Sequence, residues 1–468
     1  LDLNAWHELR TDVHNAEVTC FLDGEPVVNY WFMGTPPPYD QLGPMWPTDP
    51  THGKVGLMAR NCPAEFRDCV LKPLRDYSHI VTPNRGLRDK TGMLLPRQSY
   101  AETMKRFTEW MIRSPRIVDT RRAPGPVQAL PPYLLVSFVT EDDQLWELHF
   151  NTERGAEFAF NHSLLINGAV QYYIFSGDRA ALEIAQTTAD WHLRNLTPSN
   201  WAAPHLPPSV VKYLPDGTWV GEEWGLEPDK SAYMGLSLLR LYAVTGQDRY
   251  LQGAKNIAQT LRQFQREDGS WPFRINTRTG EVKEGYTCSQ LWYVWFFEQL
   301  AELTGNKEDL ERKEKALQWI LKNPVRDNRW IGLYGDVTGG LESYDQWVAL
   351  ETAMYLLDHE DEILGAVQIA EEIIDWVERT LVVNYGLHPR VPGLVEQSAY
   401  RVVLTHHQLR YAEAYAKIYE ATGKESYKRT AMEIANSVTW CLMSDGKLRL
   451  GFWHDAHNVP MVLCFNQQ

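Results

Sequence analysis

Two stretches of the chain gather carboxylates among aromatic rings, and a third gathers imidazoles. In the first, Asp336, Glu342 and Asp345 are interleaved with Trp330, Tyr334, Tyr344 and Trp347. Gly332, Gly335, Gly339 and Gly340 mark its first half as a loop. From Glu342 the sequence turns apolar and helical, so Glu342 and Asp345 would share one face of a first turn. In the second, Glu222-Glu223-Trp224 follows Trp219 and precedes Glu227-Pro228-Asp229. Cleaving a glycosidic bond takes one protonated and one ionised carboxyl on opposite sides of that bond, and acids on two separate loops can supply them. Each acid also has a structural reading. Acids complement the positive end of a helix dipole, proline opens helices, and an aspartate in a glycine-rich loop can close a turn. For Glu227 and Asp229 capping is the preferred reading.

The imidazoles are His162, His406 and His407, all within apolar helical runs. They are either satisfied core histidines or, with Tyr286, Tyr344 or Tyr400, the base and acid of a β-elimination or epimerisation on a uronic acid. Arg274, Arg278, Lys283, Arg390 and Arg401 are either solvated loop charges or ligands for a sugar carboxylate, arginine through its two-pronged fork. Tryptophan is frequent, at 18 residues, so Trp219, Trp224, Trp271, Trp330 and Trp347 are candidate stacking surfaces as well as core.

The elements that carry these residues repeat. From about residue 155 an aromatic-rich apolar helix ends in a small turn and an amphipathic helix follows. The turns are Ser176-Gly177-Asp178, Thr245-Gly246-Gln247, Thr304-Gly305-Asn306 and Thr422-Gly423-Lys424, with glycine where a helix terminates. Gly246 and Gly305 are 59 apart, and Gly305 and Gly423 are 118 apart; a turn near Asp358-His359-Glu360 fills the gap. The first helices are expected near 156–175, 229–244, 285–303, 342–357 and 398–421, and their partners near 179–196, 248–266, 308–322, 361–382 and 424–442. Helices near 62–76 and 98–116 would supply a sixth pair, the latter opened by a Ser99/Glu102 capping box. Leu291-Trp292-Tyr293-Val294-Trp295-Phe296-Phe297 is apolar all round and must be buried all round. Inner apolar helices ringed by amphipathic ones describe an (α/α)6 barrel, or toroid, in preference to an open solenoid. The long connections all lead into the inner helices, so their N-terminal ends define the expected active face.

Residues 18–32 read as a β-hairpin turning at Asp23-Gly24, residues 33–59 as an irregular arm, and 131–150 as another hairpin. The whole chain, 1–468, is expected to be one catalytic domain: an N-terminal arm over 1–150 packed on the active face, and the toroid over 151–468.

The segment Gln263-Phe264-Gln265-Arg266-Glu267-Asp268-Gly269-Ser270-Trp271-Pro272 resembles the Gln-Trp motif that ties helix ends together in triterpene cyclases, without their Asp-rich signature, and reads as a structural stitch. Asp268-Gly269-Ser270-Trp271-Pro272-Phe273-Arg274, Thr279-Gly280-Glu281-Val282 and Tyr286-Thr287, with Tyr334-Gly335-Asp336-Val337 and Leu350-Glu351-Thr352-Ala353, look like bacterial carbohydrate-active toroids. Over 155–440 the chain most resembles β-glucuronidase-type glycoside hydrolases of family 154. The resemblance implies a hydrolase of uronic-acid-containing glycans, with lyases, unsaturated glucuronyl hydrolases and epimerases as fold relatives.

With 44% hydrophobic residues and 23% charged, a large core is expected. A net charge of −14 argues against a nucleic-acid partner, and no apolar run is long enough to span a membrane. The six cysteines form no metal pattern, and neither HExxH nor an EF-hand spacing is present, so no metal and no cofactor are expected. The expected partner is an oligosaccharide or polysaccharide substrate, and the expected location is secreted or periplasmic, with a cytoplasmic one left open. Outside enzymes, a helical-repeat glycan-binding scaffold is the competing class; it predicts a shallow surface without clustered carboxylates.

Overall fold

A computed structural model describes residues 9–14, 17–23, 25–31, 88–113, 137–139, 145–148, 156–213, 219–220, 225–333, 343–383, 387, 391–398, 403–442, 446 and 448. The chain opens with an antiparallel sheet of β1 (Leu9–His14), β2 (Glu17–Leu22) and β3 (Glu25–Trp31). The β2–β3 hairpin turns at Asp23, as its sequence indicates, and β1 adds a strand that the alternation did not reveal. Strands β4 (Ser137–Val139) and β5 (Leu145–Leu148) form the second hairpin. The expected 62–76 helix lies outside the described residues.

The body is a set of helical hairpins. Inner helices α2 (Phe158–Ser176), α4 (Pro228–Thr245), α6 (Leu291–Thr304), α8 (Trp347–Asp358) and α10 (Thr405–Thr422) pack on one another in sequence. Each packs on its own outer partner: α3 (Arg179–Arg194), α5 (Asp248–Phe264), α7 (Lys307–Ile320), α9 (Ala366–Leu381) and α11 (Glu425–Thr439). Helix α1 (Tyr100–Arg113) contacts α3 and is pinned to α11, where Tyr100 donates to Asn436 at 2.5 Å. It is therefore a sixth outer helix that joins the two ends of the series. Trp271, Trp292, Trp330 and Trp347 are among the largest fully buried side chains, consistent with a core that runs around the inner ring.

Four inner helices end as the sequence indicates. Gly177, Gly246, Gly305 and Gly423 take φ of 74°, 65°, 71° and 67°, and each donates its N–H to the carbonyl four residues back at 2.7 Å. The beginnings differ from expectation. Helix α6 starts at Leu291 rather than 285, because Gln290 turns sideways: its Oε1 accepts from Trp271 N at 2.8 Å and its Nε2 donates to Trp271 O at 3.0 Å. Helix α8 starts at Trp347 rather than 342, and α10 at Thr405 rather than 398, where Val395 bridges Val403. Helix α7 runs into a π-turn over Leu321–Val325 that contains Pro324.

Residues leading into the inner helices are laced sideways. Ala203 N donates to Thr277 O, Leu226 pairs with Ile275, Cys288 N donates to Ile331 O, and Tyr344 O accepts from Ser398 N. These bonds join successive connections into a collar around one mouth of the ring.

Candidate active site at the mouth of the ring

Two clusters of buried charge lie under the collar. At the start of α4, Glu227 Oε1 receives Arg274 Nε at 3.0 Å and Nη2 at 2.9 Å, and Arg274 Nη1 also meets Glu284 at 2.5 Å. Lys230 Nζ donates to Asp229 Oδ2 at 3.1 Å and to Leu333 O at 3.0 Å, and lies 3.6 Å from Glu227 Oε2. Ser289 Oγ donates to the same Asp229 oxygen. Burial pushes the Glu227 carboxyl up, and Lys230 and Arg274 oppose it. Glu227 and Asp229 are thus fully buried ion-pair partners. Glu227 makes no cap with its side chain, which corrects the capping reading: Arg274 competes successfully for the carboxylate.

The second cluster is on the inner helices themselves. Glu351 accepts Trp347 Nε1 on Oε1 at 2.9 Å and Trp292 Nε1 on Oε2 at 2.7 Å, and Arg410 Nη2 is 3.1 Å from Oε1. The Arg410 guanidinium lies over the Trp347 ring at 4.8 Å, and Lys230 Nζ over the Trp292 ring at 4.9 Å. Phe160 stacks on Trp292 at 5.2 Å and meets Trp347 edge-on at 5.6 Å. Phe160 and His406 are half-buried, while Trp292, Trp347 and Glu351 are fully buried.

The predicted residues distribute as follows. Glu222, Glu223, Trp224, Tyr334, Asp336, Glu342 and Arg401 lie outside the described residues, as do Arg390 and Tyr400. Trp219 is described only as backbone, in a short strand (Trp219–Val220). Asp345 is fully buried and accepts Trp347 N and Val348 N, both at 2.8 Å, which caps α8. Trp271 is fully buried, stacked on Tyr293 at 4.2 Å, with its indole N–H on Leu261 O; this stitch leaves no ring face for a sugar. Trp330 is fully buried, and its carbonyl accepts Asp345 N. Arg274 is 5% exposed and spent on Glu227 and Glu284.

Tyr286 donates to Arg329 O at 2.9 Å and carries the Arg329 guanidinium over its ring at 4.3 Å. Tyr344 is half-buried and edge-on to Trp376. Arg278 lies over Trp201 at 5.0 Å, and Lys283 pairs with Glu281 at 2.7 Å.

His162 is fully buried, with Nδ1 2.7 Å from His192 Nε2. His407 is buried against Gln346. His406 stands 6.0 Å from the Trp347 ring, and burial, with Arg410 nearby, lowers its pKa to about 3. The structure therefore brings Trp347, His406 and His407 together at the mouth and sends His162, Trp271 and Arg274 into structural contacts.

Lys230 and Arg410 were not singled out from the sequence, and Glu351 entered only as part of Leu350-Glu351-Thr352-Ala353. The signal for Glu351 was an acid in the middle of an otherwise apolar inner helix, which has to be either paired or functional. Among the described residues no group of three or more His, Cys, Asp or Glu could hold a metal ion, and no helix is long and apolar enough to cross a membrane.

No protein-family model and no curated protein sequence matches the chain. Solved structures do match. A D-mannose isomerase aligns with TM-score 0.57 at 12% identity, over 79% of this chain and 95% of that one. The cellobiose 2-epimerase of Spirochaeta thermophila DSM 6192 aligns with TM-score 0.53 at 13% identity, over 71% and 86%. That of Bacillus thermoamylovorans B4167 aligns with TM-score 0.54 at 13% identity, over 77% and 93%. At such identities the likeness establishes the fold: the chain is an all-α (α/α)6 toroid.

Proposed function

We propose that the chain is a carbohydrate-active enzyme working at the collared mouth, and that its reaction is hydrolysis of a uronic-acid-containing glycan. The observation that carries this reading is the meeting of two connections. Lys230, just after the Glu222-Glu223 segment, holds the carbonyl of Leu333, the last described residue before the segment with Asp336 and Glu342. On this reading the acids of the two segments would flank one bond. Glu222 or Glu223 would serve as one partner and Asp336 or Glu342 as the other; Asp345, with both oxygens on backbone N–H groups, fits its helix cap better than proton transfer. Trp219, Trp224 and Tyr334 would offer sugar-stacking rings, and Arg401 a carboxylate ligand. The uronic acid itself rests on the sequence resemblance.

The test is mass spectrometry of products from a panel of uronic-acid oligosaccharides in heavy-oxygen water. Labelled products support hydrolysis. Of Glu222→Gln, Glu223→Gln, Asp336→Asn and Glu342→Gln, at least one from each segment should lose about a hundredfold or more in kcat, the low end of acid–base catalysis. If none does, the carboxylate assignment fails.

A second reading, epimerisation or aldose–ketose isomerisation, is favoured by His406. It lies half-buried beside the Trp347 ring, at the mouth of a fold shared with a D-mannose isomerase and cellobiose 2-epimerases. Incorporation of solvent deuterium into a recovered sugar, without oxygen label, together with its loss in His406→Asn, would select this reading.

A further inference from the structure

The reading above leaves Glu351 without a role, although it holds three side chains inside the ring, Trp292, Trp347 and Arg410. A buried carboxylate in α8 could be neutralised by one arginine. This one instead takes two indole N–H groups as well, from α6 and from its own helix, one on each oxygen. Hydrogen bonds to both oxygens fix the carboxylate plane, and the carboxylate in turn fixes where the two indole rings lie. Each ring also carries a cation on its face, Lys230 on Trp292 and Arg410 on Trp347, an arrangement strengthened by the absence of water. The paired indoles then support two half-buried side chains that stand at the mouth: Phe160, stacked on one and edge-on to the other, and His406, beside Trp347.

We propose that Glu351 is a positioning residue for sugar binding, and that it acts by locking the Trp292/Trp347 pair as the plate on which Phe160 offers its ring to the apolar face of a pyranose. This inference rests on the mouth being a carbohydrate site, and not on which bond is broken there. The plate is preorganised before the sugar arrives, so the ring contact costs little side-chain ordering on binding.

The test uses the full chain with tryptophan labelled on the indole nitrogen. Glucuronic acid and glucose are titrated while the indole N–H resonances and the intrinsic fluorescence are followed, and kcat and KM are measured on the best oligosaccharide of the panel. In wild type, sugar binding should shift the two indole resonances that Glu351 holds. Glu351→Gln keeps the shape but exchanges one acceptor for a donor. It should move those resonances in the free protein and weaken sugar binding and raise KM about tenfold or more, with cooperative melting retained.

Trp292→Phe and Trp347→Phe keep a ring and the ion pair but lose one N–H each; each should weaken binding severalfold. Adding Trp347→Phe to Glu351→Gln should cost little more than Glu351→Gln alone. The two phenylalanine variants carry the test if Glu351→Gln does not fold. Unchanged sugar affinity and KM in a folded Glu351→Gln, or in both phenylalanine variants, would overturn the inference. A wild type that binds glucuronic acid through the plate but forms no labelled product overturns hydrolysis alone. A wild type in which no sugar perturbs either resonance overturns the plate.

Discussion

The two ends of the inner helices are made to different specifications. At one end four of the helices stop on a left-handed glycine, turn within a few residues and start the outer partner. At the other end the connections are long, cross-bonded into a collar, and underlain by Glu227, Asp229, Lys230, Glu351 and Arg410, all nearly inaccessible to water. The turn end needs only backbone geometry, which one residue type supplies. The mouth end holds charge out of water, a costly arrangement that persists only where each charge is matched. The difference teaches where selection for something other than folding has acted: a ring could close with glycine turns at both ends.

That contrast can be broken by experiment. The largest effect is expected from Glu351→Leu, which leaves the Arg410 guanidinium only the Glu413 carboxylate at 3.4 Å and strands two indole N–H groups in the core. Unfolding in urea should show a loss of about 3–5 kcal/mol, the usual cost of removing one partner of a buried pair. Arg274→Met, which strips Glu227 of its main partner, should cost about 3 kcal/mol by the same argument. A loss below about 1 kcal/mol in both would mean the mouth is no more demanding than the turns.

Acid should find the mouth first. His192 and His407 are buried and His406 half-buried, and desolvation, aided by a neighbouring imidazole or by Arg410, lowers the pKa of each below 6.5. Below pH 6.5 the unfolded chain takes up protons that the folded chain refuses. Stability should therefore be level above that pH and fall as pH drops, by up to about 1.4 kcal/mol per pH unit for each imidazole. His192→Gln should flatten the slope of urea stability between pH 6.5 and 5 by about one such increment.

At the turn end, Gly305→Ala meets no atom within 4 Å of the added carbon, so only the backbone at φ 71° resists. About 1 kcal/mol of destabilisation and unchanged turnover are expected. Smallest of all, Lys417→Ala removes the half-buried partner of the exposed Asp358 and should shift stability by less than about 1 kcal/mol.

What the sequence disclosed follows the same division. Periodicity and glycine spacing were enough to assign inner and outer helices and to place the turns, because those features are local. The starts of α6, α8 and α10 were placed too early. There, residues that could extend the helix are claimed by neighbours far along the chain: Gln290 by Trp271, Asp345 by Trp330 and its own cap, and Gln397 by Ser343 at 2.7 Å. The stitch at Trp271 was read correctly as structural, but its glutamine is Gln290 of the next inner helix rather than Gln263. The candidate acids were chosen as clustered carboxylates in loops. Glu351 escaped that search because the nearest other acid of its helix, Asp358, is seven residues on; two of its partners lie 59 residues away in each direction along the chain, at Trp292 and Arg410.

Helix α1 is docked by groups that follow it by more than 330 residues. Asn436 donates to Leu94 O, Arg97 reaches Thr439 and Leu442, and Trp440 donates to Leu95 O. On a ribosome moving at roughly 5–20 residues per second, this segment emerges about 15–70 seconds before its binding surface exists. During that interval the growing stack of hairpins presents an unfinished edge. Completion of the ring then makes residues of α11 and just beyond it the latch for the segment that leads into α1, so a chain released short of α11 would fail as a whole rather than by one helix.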